Sequence, residues 1–228
     1  MDEHAIVEKF KRFCASDFGK RVARAESEYV EKHLAGAKKI LNVGCGIGSL
    51  EANLPGVDIT GLDASKAMVV EARKHCDNAF VVGDASKLPF KSGSYDAVVA
   101  VTTLEFLEKP WKALAEMARV TKPGGRALLL LLNPHSNYFK SHCKKQGSYF
   151  RRVKHADLDG IRNWFSRHFR VEGREFILGI RGKRIFRTKD KRWASLYVLA
   201  GTKKGDSFPR KRAAFLRSGK ALRAKQTD

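Results

Sequence analysis

The chain has 228 residues, of which 43% are hydrophobic, and a formal net charge of +21. This length and apolar content allow one substantial core and exclude a chain that is disordered throughout. The longest apolar run is far shorter than the ~20 residues of a membrane span, and the charged start "MDEHAIVEKF" lacks the apolar centre of a signal peptide. The four cysteines form no CxxC pair, which predicts reduced thiols, no metal site and a cytoplasmic location.

The positive charge is concentrated in the C-terminal part of the chain. Residues 134–228 hold 26 Lys and Arg against 7 Asp and Glu, so they carry +19 of the net charge. Such asymmetry indicates an anionic partner: nucleic acid, an anionic membrane surface or an acidic substrate. A solvated basic surface is the alternative interpretation.

The N-terminal residues are predicted to be helical. Helical patterns cover residues 3–14 and 20–36, with apolar residues at near-helical spacing in the second, which "AGA" closes. We therefore expect a helical N-terminal cover over residues 1–37.

Strands and helices then alternate up to residue 133. The apolar runs typical of strands are "KILNV", "VDITGL", "NAFVV", "YDAVVAV" and "RALLLLLN". Helical patterns separate them, and Ser65 and Pro110 stand where two of these helices begin. Strands this apolar, alternating with helices, predict a parallel sheet that is covered on both faces.

The pattern changes after the fifth strand. Residues 134–154 are expected to be a connecting segment, followed by a helix in "ADLDGIRNWFSRHF" with Trp164 and Phe165 in the core. Two more strands, "RVEGREFILGI" and "RWASLYVLAGTKK", flank a basic hairpin-like loop, "RGKRIFRTKDKR". The main domain is therefore predicted to span residues 38–202, ahead of a basic, flexible tail over residues 203–228.

The most informative stretch is "KKILNVGCGIGSLEANLPGVDITGLDAS", residues 38–65. Gly44, Gly46 and Gly48 follow a buried strand and precede a short helix, where glycines permit positive φ and close approach of a ligand to the backbone. Asp63 stands 19 residues after Gly44, at the end of the next strand, where a carboxylate can accept both hydroxyls of a ribose. The stretch therefore predicts a nucleoside-binding βαβ unit.

This stretch and its successors resemble the class I S-adenosylmethionine-dependent methyltransferases over roughly residues 38–133. The G-x-G-x-G loop is similar to the family's first motif, and "GLDAS", "VVGDASKLPF" and "SGSYDAVVAVTTLEFLEKPWKALAEMARVTKPGGRALLLLLN" are similar to its later motifs, in order. A dinucleotide fingerprint would have Gly or Ala where this chain has Ser49, which disfavours an NAD-binding oxidoreductase.

The resemblance implies a Rossmann-like, doubly wound α/β fold with a mostly parallel seven-stranded sheet and helices on both faces. It also implies S-adenosylmethionine as the cofactor, with Asp63 at the ribose, Asp84 at the adenine amine and Ala85 offering its backbone N–H. The set of residues expected at the cofactor is Gly44, Cys45, Gly46, Gly48, Asp63, Ala64, Asp84, Ala85, Val101 and Thr102.

The methyl acceptor is expected to be an unidentified small molecule, because the resemblance is closest to the small-molecule branch of the family. The chain lacks the Asn/Asp-Pro-Pro-aromatic motif of enzymes that methylate the exocyclic amine of adenine, and the Pro-Cys or Thr-Cys motifs typical of cytosine C5 enzymes. The alternatives are an RNA (rRNA or tRNA) methyltransferase that uses the basic C-terminal part, and a non-catalytic polyanion-binding module. The intact glycine loop and both aspartates argue against the non-catalytic module.

The sequence does not assign a catalytic residue. Methyl transfer from a sulfonium needs alignment and exclusion of water, and a base only when the acceptor arrives protonated. The candidates are Glu105 after the fourth strand, His135 after the fifth, and Tyr149 in the connecting segment, where His142 and Arg151 could also orient an acceptor. For each of them, a solvated or pocket-covering side chain is the alternative.

Overall fold

The computed structural model of the protein describes residues 3–205. Its strands are β1 (Lys39–Val43), β2 (Asp58–Asp63), β3 (Phe80–Val82), β4 (Tyr95–Val101), β5 (Thr121–Leu132), β6 (Phe169–Arg181), β7 (Arg184–Phe186) and β8 (Ala194–Lys203). They form one sheet in the order β3-β2-β1-β4-β5-β8-β6-β7. The pairings among β1 to β5 are parallel, and those of β6, β7 and β8 are antiparallel. The predicted Rossmann-like α/β fold is confirmed.

Helices cover both faces of this sheet. They are α1 (Glu3–Ala15), α2 (Asp17–Leu34), α3 (Ser49–Asn53), α4 (Lys66–Ala72), α5 (Pro110–Val120), α6 (Asn137–Cys143) and α7 (Leu158–His168). The strand side chains alternate between two cores. One core packs against α5 and α7, where Phe165 is fully buried and stacks on Phe169 at a ring distance of 4.8 Å. The other packs against α2 and α3, through buried residues such as Val30 and Leu50.

Two segments differ from the sequence prediction. The sheet has eight strands in the described part of the chain, not seven, because three residues of the basic loop form β7 and pair with the end of β6 across a turn at Gly182, whose φ is +61°. The connecting segment 134–154 holds α6 and a 3-10 turn over Tyr149–Arg152. The Ser136 hydroxyl caps α6 by accepting the Phe139 N–H at 3.0 Å.

The carboxyl ends of the parallel strands β1, β2, β4 and β5 meet at one edge of the sheet. Ligands of open α/β sheets bind outside this edge, near the point where the strand order reverses. Here β1 lies between β2 and β4, so the reversal falls at the end of β1, immediately before the glycine loop. The fold thus brings the candidate residues of several motifs to one edge.

Candidate functional site

The glycine loop adopts backbone angles that other residues tolerate poorly. Gly44, Gly46 and Gly48 have φ values of +80°, +55° and +75°. A Cβ on Gly44 would lie 2.3 Å from the side chain of Thr103, so the space is filled as well. The N–H of Gly44 donates to the Leu62 carbonyl at 2.7 Å and ties the loop to β2.

Asp63 anchors the loop from the end of β2. Its Oδ2 accepts the Gly46 N–H and its Oδ1 accepts the Ser65 N–H, both at 2.9 Å. The side chain is half-buried, and each carboxylate oxygen keeps capacity for a further donor. Asp63 can therefore hold the loop and still accept hydroxyl groups of a ligand.

A buried polar pair joins the two elements that flank the glycine loop, β1 and α3. Glu51 on α3 accepts a hydrogen bond from the Asn42 amide at 2.9 Å, and both side chains are almost fully buried. Burial raises the pKa of Glu51 to about 7. Sequence reasoning did not single out this pair, because a lone Glu in a short helix carries no signal.

The expected adenine-binding residues lie at the next strand end. Asp84 follows β3, which pairs with the end of β2, so Asp84 and Asp63 stand at neighbouring strand ends. The Asp84 carboxylate is exposed and accepts the hydroxyl and the N–H of Ser86 at 2.7 and 2.8 Å, which lowers its pKa. Ala85 is buried and Ala64 is exposed. Their roles at a cofactor stay predictions.

The end of β4 contains a strained residue. Thr102 has a φ of +45°, which is an outlier for a β-branched side chain. Its N–H donates to the Leu130 carbonyl at 2.7 Å, while the neighbouring Val101 carbonyl accepts the Thr103 hydroxyl at 2.9 Å. Strain of this kind clusters at ligand sites. In the glycine loop, burial raises the pKa of the Cys45 thiol, which therefore stays protonated.

Glu105 joins three segments at the same edge. It is 2% exposed, its Oε1 accepts the Leu132 N–H at 2.7 Å, and its own carbonyl accepts the N–H groups of Lys154 and His155. Its Oε2 has no hydrogen-bond partner within residues 3–205. Burial raises the pKa of this carboxyl to about 7. Through these hydrogen bonds, Glu105 positions the loop after β4 against the end of β5.

A pocket of about 1140 Å³ opens beside the glycine loop. Helices α1, α2 and α6, residues 145–152 and the ends of β5, β6 and β8 line it. The Phe10 ring belongs to its wall and lies 3.2 Å from the position of a Cβ on Gly46, so the pocket and the loop share a border. The aliphatic and aromatic lining residues are Phe10, Phe13, Phe18, Val22, Leu132, Tyr138, Tyr149, Phe150, Leu178, Ile180, Trp193 and Leu196.

Tyr149 stands on this border. Its ring centre lies 4.5 Å from that of Phe106, beside Glu105, and 6.3 Å from that of Phe10. Burial raises the pKa of its hydroxyl, and the nearby charges of Glu105 and Asp63 raise it further. The structure therefore brings Tyr149 and Glu105 together at the edge where the loop lies.

The other residues predicted to contact a methyl acceptor lie in two different pockets. His142 and Arg151 line the large pocket with Tyr149. His135 is exposed and lines a separate pocket of about 520 Å³, together with Asp157 and Arg174.

One pocket residue was missed in the sequence. Glu26 on α2 lines the large pocket, and its carboxyl makes no hydrogen bond or ion pair with any of residues 3–205. Burial raises its pKa to about 8. Glu26 stands four residues after Val22 and four before Val30, within the apolar stripe of the helix. A charged residue within an apolar stripe was therefore the one signal in the sequence that could have identified Glu26 as a pocket residue.

Two other features are absent from the described part of the chain. Among residues 3–205, no group of three or more His, Cys, Asp and Glu side chains could hold a metal ion. No helix in the same range combines the length and the apolar content needed to cross a membrane. All four cysteines are free thiols.

Comparisons with known proteins find similarity to methyltransferases. The family described as "Methyltransferase domain" matches residues 41–129. A demethylmenaquinone methyltransferase of Beutenbergia cavernae is 42% identical over 95 residues, 40% of each protein. A ubiquinone biosynthesis O-methyltransferase of Nitrosococcus oceani is 34% identical over 116 residues, 46% of this chain and 49% of that protein. The matches thus span two fifths to one half of the length of these curated relatives.

Among solved structures, a similar one is that of an S-adenosylmethionine-dependent methyltransferase from Thermotoga maritima. It has a TM-score of 0.72 at 22% identity and covers 88% of this chain and 97% of that one. At this identity the likeness concerns the fold.

Proposed function

We propose that this chain, whose residues 41–129 match the methyltransferase domain family, is an S-adenosylmethionine-dependent methyltransferase that acts on a small, largely apolar molecule held in the 1140 Å³ pocket. The observation that carries this proposal is the shared border between the pocket and the glycine loop. Phe10 lines the pocket and abuts Gly46, and Tyr149 lines the pocket beside Glu105.

The residues at the strand ends fit the cofactor. The loop of Gly44, Gly46 and Gly48 presents backbone without side chains, and Asp63 keeps acceptor capacity beside it. Bound S-adenosylmethionine supplies a methyl group that its own sulfonium charge already activates. The chain therefore has to align the acceptor and exclude water.

Three side chains have roles in this alignment. Glu105 fixes the loop after β4 to β5, so the strained Thr102 stays in place. Because burial raises the pKa of the Tyr149 hydroxyl, this group stays protonated and donates a hydrogen bond to the acceptor rather than removing a proton from it. Phe10 of α1 covers the border and keeps water out.

The volume and lining of the pocket support a small acceptor over a nucleic acid. A site of this volume with mostly half-buried aromatic walls is typical of small-molecule recognition. Two of the relatives are named for demethylmenaquinone and for ubiquinone biosynthesis, and both names concern small molecules. The RNA alternative depends on the basic C-terminal part, of which residues 206–228 lie outside the described structure.

Two measurements test the proposal. In calorimetric titrations, S-adenosylmethionine and S-adenosylhomocysteine are expected to bind, and NAD is not. Methyl transfer from labelled donor into a cell extract is then followed with and without ribonuclease. Label in a small-molecule fraction that survives ribonuclease supports the proposal. Micromolar NAD binding without donor binding, or label found only in RNA, would overturn it.

A further inference from the structure

The exposed mouth of the large pocket is strongly basic. Every one of its aliphatic and aromatic lining residues except Phe13 is buried or half-buried, whereas its cationic lining residues are all exposed. The pocket is therefore apolar inside and cationic at the rim. The rim cations, from α1, from residues 145–152 and from the turn between β6 and β7, are Lys9, Lys145, Arg151, Arg152, Arg181 and Lys183.

These rim cations are not neutralised by the described protein. Elsewhere in residues 3–205 basic side chains pair with carboxylates, as Arg192 does with Asp190 at 2.7 Å. None of the six rim cations has a carboxylate within 4.0 Å in that range. The single acidic residue of the lining, Glu26, lies inside the pocket.

Contacts with neutral groups hold several of the rim cations at the mouth. The Arg181 guanidinium lies 5.6 Å from the ring centre of Trp193, and the Arg152 guanidinium lies 5.8 Å from that of Tyr149. The Lys9 ammonium donates to the Gly147 carbonyl. Such contacts leave the positive charges uncompensated. The rim cations are therefore available to bind an anion.

We propose that the ligand of this pocket is an amphipathic acid, with an apolar body among the aromatic walls and one carboxylate or phosphate group held by the rim cations. That this ligand is the methyl acceptor rests on the function proposed above. The interior also tolerates such a ligand, since burial raises the pKa of Glu26 to about 8 and leaves it largely uncharged at neutral pH.

The test compares probes with the same chain and different head groups. Octanoate, octyl phosphate, octan-1-ol and octylammonium are titrated calorimetrically into the full-length protein, below their aggregation concentrations. Octanoate or octyl phosphate is expected to bind at least tenfold more tightly than octylammonium and more tightly than octan-1-ol. Comparing the two anions shows which head group the rim prefers. Equal or tighter binding of octylammonium would overturn the proposal.

A pair of double variants tests the rim itself. Arg151→Gln/Arg181→Gln is expected to weaken the better anionic probe at least tenfold and to leave octan-1-ol within twofold. Arg24→Gln/Arg167→Gln removes the same charge from exposed positions outside the pocket and is the matched control. Equal losses in both double variants, or none in the first, would contradict a role of the rim.

Donor binding is measured separately in the same samples. Anion preference without S-adenosylmethionine binding would overturn the proposed methyl transfer and leave the ligand class standing. Donor binding without anion preference would overturn only the ligand class.

Discussion

Asp63 ties down the glycine loop, and we propose that its remaining acceptor capacity binds the ribose of the cofactor. Asp63→Ala removes both, and each hydrogen bond to a charged group is worth about 1.5–3 kcal/mol. We expect the Kd of S-adenosylmethionine to rise at least tenfold by calorimetry. Asp58→Asn, at the exposed start of the same strand, is the control and is expected to bind as the parent does. Parental affinity of Asp63→Ala would remove this residue from the site.

Glu105 makes the stability of the protein depend on pH. Burial raises its pKa to about 7, from an ordinary value of 4.5. Between these values the folded protein holds a proton that the unfolded chain has released, so stability falls as the pH rises from about 4.5 to about 7. Glu105→Gln keeps an oxygen acceptor for the Leu132 N–H without the charge. At pH 8 it is therefore expected to be more stable than the parent by on the order of 3 kcal/mol, and at pH 4.5 by little.

Urea unfolding at several pH values measures this difference. Glu108→Gln provides a control of opposite sign, because Lys154 lowers the pKa of that exposed carboxyl and its charge is stabilising. This control is expected to be no more stable than the parent at pH 8. A Glu105→Gln advantage that stays constant from pH 4.5 to pH 8 would show that the carboxyl does not titrate as proposed.

At the scale of elements, α1 covers the glycine loop. Phe10 abuts Gly46, and Lys11 pairs with Glu71 of α4 at 3.3 Å, so the helix is fixed both to the loop and to α4. Phe10→Ala opens this cover to water and removes apolar burial next to the donor site. We expect the Kd of S-adenosylhomocysteine to rise at least fivefold, mainly through faster dissociation. Arg12→Ala, on the exposed side of the same helix, is expected to have no effect, and parental binding of Phe10→Ala would show that α1 does not cover the donor.

The elements that the sequence predicted well are those buried on both faces. Strands β1 and β4 each contain a run of four buried residues, 40–43 and 97–100, of which only Asn42 is polar, and such runs leave little room for another interpretation. Strand β7 was missed because its three residues lie between cations and show no alternation. Helix α6 was missed because "NYFKSHC" is short and has no buried residue, so its helical signal is weak.

The residues of the candidate site also differ in how well the sequence predicts them. Asp63 could be found from its spacing alone, because the length of a βαβ unit places it at a strand end. The wall of the large pocket could not, since it combines α1, α2 and the start of β8, which are distant in sequence. Glu26 is an example, because the sequence does not show that this Glu on the apolar stripe of α2 faces a pocket.

For the whole molecule, the described residues contain an eight-stranded sheet with helices on both faces. Lys203, where the basic tail was predicted to begin, is the last residue of β8 and pairs with Phe169. The rest of the predicted tail from residue 206 lies outside the described residues. Removing residues 206–228 is therefore expected to leave the Kd of S-adenosylmethionine within twofold and the thermal midpoint nearly unchanged. Loss of donor binding would show that these residues belong to the fold.

The same truncation separates the polyanion predictions. A basic arm that neutralises about six phosphates gives a log–log salt slope near −5, so RNA affinity would fall roughly a thousandfold between 50 and 200 mM salt. Anionic vesicles provide the second arm of the experiment. Binding that the truncation abolishes would assign the partner to residues 206–228, and binding by neither form would leave the small-molecule interpretation alone.

The two ends of the sheet order bear on how the protein behaves at high concentration. Both outermost strands, β3 and β7, have only three residues, and Arg184 in β7 is exposed beside Lys183. Long, uncharged borders invite strands of other chains to add on, which leads to fibrils. On the β7 side, however, β7 covers only Gly179–Arg181 of the thirteen-residue β6, so the rest of β6 has no strand partner on its outer side within the described residues. The exposed charges of Arg170, Glu172 and Arg174 lie along that open part and disfavour pairing with another chain. Charge along the open border, rather than closure into a barrel, thus protects this sheet against polymerisation.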